Sequence, residues 1–95
     1  MDIGFDWSTE KNRRLIEQRG ISFERVVVAI EQGGLVDVLE HPNRDSYPDQ
    51  LIYAVKNDKY IHLVPFVKQA DGTHFLKTII PSRKATRDYR RRQKL

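Results

Sequence analysis

The chain has no cysteine among its 95 residues, so a disulfide framework is excluded and the sulfur-rich zinc sites with it. That composition suits a reducing compartment. No segment approaches the roughly 20 consecutive apolar residues that a membrane-spanning helix requires. The opening residues Met-Asp-Ile-Gly-Phe-Asp are acidic, which is the reverse of a basic leader followed by an apolar stretch. A cytoplasmic, unexported protein is the expectation. Neither the Walker-type phosphate loop nor the dinucleotide-binding glycine pattern occurs, and no nucleophile elbow is present for a serine hydrolase. The three histidines, His41, His62 and His74, lack paired ligand spacing, so neither a metal nor any other cofactor is expected. There is no internal repeat and no low-complexity linker. At this length one domain, residues 1–95, with one modest core is expected.

The charge that is present is unevenly placed. Residues 1–82 hold ten Lys/Arg against twelve Asp/Glu, a balance of −2. From Arg83 onward seven bases (Arg83, Lys84, Arg87, Arg90, Arg91, Arg92 and Lys94) face one acid, Asp88, and that segment carries +6 of the net +4. Such a block attracts phosphates or carboxylates through a field that salt screens.

Local signals divide the chain into elements. Ser8 and Thr9 are capable N-caps, Glu10 suits a first turn, and Gly20 supplies a left-handed stop. A helix of about 11 residues fits between them. Phe5 and Trp7 supplement its thin apolar content, mainly Leu15 and Ile16. Ser22 caps a second helix through Phe23, Val26, Val27 and Ile30, ending at Gly33-Gly34. The valine run Val26 to Val28 would also suit a strand, but the start and stop signals favour helix. From Leu35 the period becomes alternating, and Leu35 to Glu40, Gln50 to Lys56, Tyr60 to Lys68 and Thr73 to Ile80 read as four strands. Short links at Asn57-Asp58-Lys59 and Gln69-Ala70-Asp71-Gly72 imply antiparallel neighbours, whereas His41 to Asp49 forms a longer loop. Pro65 cannot donate to a ladder and argues for an edge or a bulge. Past Pro81, Ser82 caps a C-terminal helix, Arg83 to Lys94, which Ala85 and Tyr89 dock to the sheet. The predicted fold class is α+β: two N-terminal helices, a four-stranded antiparallel sheet and a C-terminal basic helix (α-α-β-β-β-β-α), with the helices on one face of the sheet.

Two stretches carry a resemblance. Phe5-Asp6-Trp7, with Lys11-Asn12 and Gly20-Ile21-Ser22-Phe23-Glu24, stands near the start; Ile80-Pro81-Ser82-Arg83-Lys84-Ala85-Thr86-Arg87 stands near the end. At this length and in this order the pair resembles the BrnT family of bacterial toxins. The resemblance implies the toxin of a type II toxin–antitoxin pair, with a fold like the RelE ribonucleases. It further implies an antitoxin of ribbon-helix-helix type, and an activity that cleaves RNA and inhibits translation. The alternative is a non-catalytic module that binds nucleic acid or the antitoxin, including a degenerate toxin that acts only in assembly or autoregulation.

RNA cleavage without a metal needs a base for the 2′-hydroxyl, an acid for the leaving oxygen and fixed positive charge for the transition state. Arg83 and Arg87, four apart on one helical face, are the candidates for charge stabilisation. Lys77, on the strand leading there, either points to the same end or faces solvent. Histidine is the side chain whose ordinary pKa suits the proton transfer. His41, opening the long loop beside Glu40, is preferred over His62, which alternates with Tyr60 and Val64, and over His74, which flanks a turn. Lys84, Arg90 and Arg91 are assigned to RNA binding, together with Tyr89 as the tyrosine for stacking on a base. Beyond Arg87 the segment Arg90 to Lys94 is expected to fray and to act through long-range attraction, or to be covered by the antitoxin.

Overall fold

The structure, a computed structural model, describes residues 4–93. A short strand β1, Phe5–Trp7, precedes two helices, α1 (Thr9–Arg19) and α2 (Phe23–Ala29), and a wide helical turn over Ile30–Gly34 closes α2. Strands β2 (Leu35–Glu40), β3 (Gln50–Asn57), β4 (Tyr60–Lys68), β5 (His74–Leu76) and β6 (Ile80–Pro81) follow, and helix α3 covers Arg83–Gln93.

The class is α+β, but the order is β-α-α-β-β-β-β-β-α and the sheet is mixed. Its strands run β1-β5-β4-β3-β2, with β6 also on β4. β1 lies parallel to β5, pairing Phe5, Asp6 and Trp7 with His74, Phe75 and Leu76, while the other pairings are antiparallel. Phe-Asp-Trp is too short for its alternation to register as a period, and its partner lies about 70 residues downstream, where no local signal reaches. The strand expected over Thr73 to Ile80 is broken in two: Lys77, Thr78 and Ile79 separate β5 and β6, which follow one another along the same edge of β4.

Pro65 accounts for part of that break. The Pro65 carbonyl accepts from the Lys77 N–H at 2.8 Å. Amide and carbonyl of one strand residue point to the same side, so the side lacking an N–H donor faces the interruption between β5 and β6. The expected edge position is therefore corrected. β4 is interior to the sheet and keeps regular register with β3, Pro65 opposite Ile52.

The local signals of α1 and α2 hold. The Ser8 hydroxyl accepts from the Lys11 N–H, and Gly20, at φ 69°, closes the helix through its N–H to the Ile16 carbonyl. The Ser22 hydroxyl caps α2 by accepting from the Arg25 N–H. Between the two helices Asn12, buried, accepts from the Phe23 N–H at 2.8 Å and donates to the Glu24 carboxylate at 2.7 Å. Gly34 has a reason beyond stopping a helix: a Cβ there would sit 2.6 Å from the Lys56 carbonyl and 2.7 Å from that of Ala29.

The strand registers place Tyr53, Val55, Val64, Phe66 and Leu76 on one face of the sheet, where they form the main core with Leu15, Phe23 and Val26 of the two N-terminal helices. Trp7 stacks on Phe23 with ring centroids 5.7 Å apart. Ile52, Ala54 and Ile61 alternate to the opposite face and are also buried. There Ala54 and Ile61 line one depression with Ala85 and Tyr89 of α3. The layers are thus α1/α2, sheet, α3, and the expectation of all helices on one face is corrected. The Tyr60–Lys68 strand is apolar at successive positions because both its faces are covered.

The β3–β4 hairpin turns on Asp58 and Lys59 with φ of 54° and 69°. Two consecutive positive values define the tight turn that favours Asn-Gly or Asp-Gly. Lysine at the second position carries backbone strain of about 1–3 kcal/mol, only partly offset by the larger unfolded-state entropy of glycine, so Lys59→Gly should raise the midpoint of a denaturant titration.

Candidate nucleic-acid interface

Helix α3 is held at its N-terminus by an extension of the sheet ladder. The Ser82 N–H donates to the Ile61 carbonyl at 3.0 Å, and the Ile61 N–H donates to the Thr86 hydroxyl at 2.8 Å. That hydroxyl donates in turn to the Ser82 carbonyl at 2.7 Å, and the Ser82 hydroxyl caps the helix at the Ala85 N–H. Thr86 is the one buried residue of the helix. Sequence reasoning gave it no structural role, since a lone threonine carries no apolar signal. Ala85 and Tyr89 are half-buried beside it, as their four-residue spacing predicted.

The docked face leaves Arg83, Lys84, Arg87 and Arg91 exposed. At 100° per residue Arg83, Arg87 and Arg91 form one outward stripe, rising about 12 Å from first to last. Among the described residues the one ion pair joins Glu40 to Arg44 at 3.1 Å, so no carboxylate neutralises the stripe at contact distance. Arg90 leaves the stripe and donates to the Lys59 carbonyl at 3.4 Å. The fraying expected beyond Arg87 is corrected: the helix continues through Gln93, with Arg90 tied to the β3–β4 turn. Lys94 lies outside the described residues.

The other residues singled out from the sequence do not join this surface. His41 sits at the Glu40 end of β2, whereas α3 begins beside Ile61, which pairs with Lys56 near the opposite end of β3. Five strand residues, about 17 Å, separate these levels. His41 packs against Tyr47 with ring centroids 4.4 Å apart, and its Nδ1 accepts from the Asn43 N–H at 3.0 Å. Lys77 is exposed, but its ammonium lies 5.5 Å over the Phe75 ring, beyond the strand interruption. Tyr89 supports the helix against the sheet, and the Lys56 ammonium sits 5.5 Å above its ring. That ammonium covers one side of the ring.

A second polar concentration lies on the other face of the sheet. Arg19, Arg25, Asp58, Tyr60 and His62 line a cleft of about 260 Å3 at the hairpin end. The alternation of Tyr60 and His62 on one face was readable in the sequence. The two arginines come from α1 and α2, and no spacing rule joins them to a strand 40 residues later. His62 Nδ1 is enclosed without a hydrogen-bond partner. Burial lowers the His62 pKa, opposed by the nearby Tyr60 carbonyl and the Asp58 carboxylate. His74 is likewise lowered, first by burial and then by Lys68, and its ring is engaged by the Tyr53 hydroxyl and stacked on Phe66. Among the described residues no three His, Asp or Glu side chains converge where a metal ion would sit, and no helix is long and apolar enough to cross a membrane.

The site therefore has an unneutralised basic stripe on an anchored helix and a separate cationic cleft around His62. Comparison of the chain with protein-family models, with curated proteins and with solved structures gives no match.

Proposed function

We propose that the protein is the toxin of a type II toxin–antitoxin pair, a metal-independent endoribonuclease that acts in the cytoplasm and inhibits translation by cutting RNA. Its RelE-like relationship and its ribbon-helix-helix antitoxin belong to the same proposal. The observation that carries it is the stripe Arg83, Arg87, Arg91: fixed cations on a helix tied to the sheet, without carboxylate partners among the described residues. Fixed donors of this kind grip phosphate without reorganising. A protein partner is supported by β2, an edge strand on which Leu35, Val38 and Leu39 are exposed. Unpaired apolar edges of this kind are sites of strand addition and association.

The second reading, a non-catalytic RNA- or antitoxin-binding module, is favoured by one observation. His41 and Lys77, the expected proton-transfer and accessory residues, lie away from the stripe. Expression in bacteria separates the two. Growth arrest with RNA fragmentation is expected for the wild type, and loss of both for Arg83→Ala/Arg87→Ala. In single-stranded RNA binding the double variant should lose affinity roughly tenfold, and the slope of log affinity against log salt should fall by about 1.4. Intact RNA and normal growth with the wild type would leave the binding module as the answer. A small ribbon-helix-helix reading frame beside this gene would support the toxin class.

A further inference from the structure

The hairpin Asn57–Tyr60 gathers basic groups from distant parts of the chain. Arg19 comes from the last turn of α1, Arg25 from the first turns of α2, Lys56 and Lys59 from the hairpin itself, and Arg90 from α3. One acid, Asp58, lies among them. None of these five cations is in an ion pair among the described residues. Arg19 instead donates to the Ile79 carbonyl at 2.7 Å, and Arg90 to the Lys59 carbonyl. An arginine anchored on a neutral carbonyl is held in place with its charge unspent.

These groups surround connected space. The cleft that contains His62 shares Arg25, Asn57 and Asp58 with a second depression of about 290 Å3, which continues to Lys56. The Lys56 ammonium in turn covers the Tyr89 ring of α3. Arg25, Asn57 and Asp58 thus border both depressions, with Lys56 at the far side of the second. The first holds the anomalous group: an imidazole with Nδ1 enclosed and unpartnered, its ring edge-on to Tyr60 at 5.7 Å. Buried polar atoms normally find partners, and an exception calls for a physical reason, a catalytic role or a bound ligand among them. Burial lowers the His62 pKa and so favours the neutral ring, and the residue lines the cleft together with Arg19 and Arg25.

We propose that this cleft binds a phosphodiester group, Arg19 and Arg25 taking its non-bridging oxygens, and that His62 faces the adjoining ribose as the proton acceptor for RNA cleavage. The proton-transfer part rests on the ribonuclease reading; the phosphate-binding part does not. In the step His62 takes the proton of the 2′-hydroxyl while the O2′–P bond forms and the P–O5′ bond breaks. The products are a 2′,3′-cyclic phosphate and a 5′-hydroxyl, whose oxygen takes its proton from water. The imidazolium then returns its proton to solvent.

The test uses the full-length protein labelled with 15N, titrated at constant ionic strength with inorganic phosphate, with a 2′-deoxy dinucleotide that cannot be cleaved, and with chloride as control. The His62 ring resonances should shift saturably with the two phosphates and not with chloride. The shift should weaken roughly tenfold in Arg25→Ala and persist in Arg83→Ala/Arg87→Ala. Absence of a saturable shift at His62, an equal response to chloride, or indifference to Arg25→Ala overturns the site. For the chemistry, His62→Gln should slow cleavage by at least about a hundredfold while RNA affinity through α3 is kept. Should His62→Gln not fold, Arg25→Ala, altered at an exposed position, carries the same comparison. A wild type that binds phosphate at His62 yet cuts no RNA leaves the phosphate site standing and removes the ribonuclease reading. Cutting by the wild type that is undiminished in His62→Gln or Arg25→Ala removes His62 from the reaction.

Discussion

Thr86→Val, a change that removes no charge and almost no volume, is expected to weaken the fold by about 1–3 kcal/mol and to weaken RNA binding as the Arg83→Ala/Arg87→Ala variant does. The Thr86 hydroxyl is the acceptor for the Ile61 N–H and a donor to the Ser82 carbonyl, in a residue 2 % exposed. Valine fills the same space and leaves the Ile61 amide enclosed without a partner. That amide belongs to the strand while its acceptor belongs to the helix, so the lost bond acts at the joint between them. The arginines would remain, attached to a helix no longer held against the sheet. Denaturant titration reads the stability change, and RNA binding reads the function. Thr86→Ser keeps the hydroxyl and should recover most of both. Unchanged binding in Thr86→Val would mean that charge alone, not its placement, governs the interface.

Asn12→Leu is expected to cost about 2–3 kcal/mol by the same logic applied to the other layer. Asn12 is 7 % exposed and links α1 to the start of α2, accepting from the Phe23 N–H and donating to Glu24. Leucine would strand a buried amide beside Phe23, which is fully buried in the main core. A lower denaturation midpoint with an unchanged slope is the expected signature.

The same substitution changes the pH response. The Asn12 hydrogen bond is the largest cause of a lowered Glu24 pKa, aided by the backbone N–H of Glu24 and the Ser22 hydroxyl against burial. A carboxyl whose folded pKa lies below its unfolded value of 4.5 contributes stability above that value, and loses it as pH falls through the folded value. The wild type should therefore lose stability below about pH 4.5 more steeply than Asn12→Leu. His62 and His74 act in the same direction at higher pH. Their folded pKa values lie below 6.5, so the unfolded chain binds their protons first and acidification from neutrality already destabilises the fold. Replacing either histidine by glutamine should flatten that upper part of the profile.

The basic stripe and the His62 cleft differ in how far sequence could foretell them. The cations of α3 lie within one short stretch of chain, and helical spacing alone places Arg83, Arg87 and Arg91 on one side once a helix begins at Ser82. Thr86 defeated that reasoning because its role is a hydrogen bond to a strand 25 residues earlier. Choosing His41 as the proton-transfer residue followed from its place beside a loop. Tertiary packing sets it against Tyr47, and places Arg19 and Arg25 at the cleft that holds His62.

What the sequence by itself determined is whatever depends on neighbours within a few residues. Caps at Ser8, Ser22 and Ser82, the left-handed stop at Gly20, the strand character of β2, β3 and β4 and the basic block after Pro81 all belong there, because each rests on a local hydrogen bond, a local dihedral or the residue types within a few positions. Only the tertiary structure decided that Phe5–Trp7 is a strand parallel to β5, that α3 lies across the sheet from α1 and α2, and that the hairpin end collects Arg19, Arg25 and His62. Those outcomes depend on which of two sheet faces each element covers and on contacts between residues dozens of positions apart. No period of two or four carries that information, because the same alternating strand can present either covered face to either helix layer.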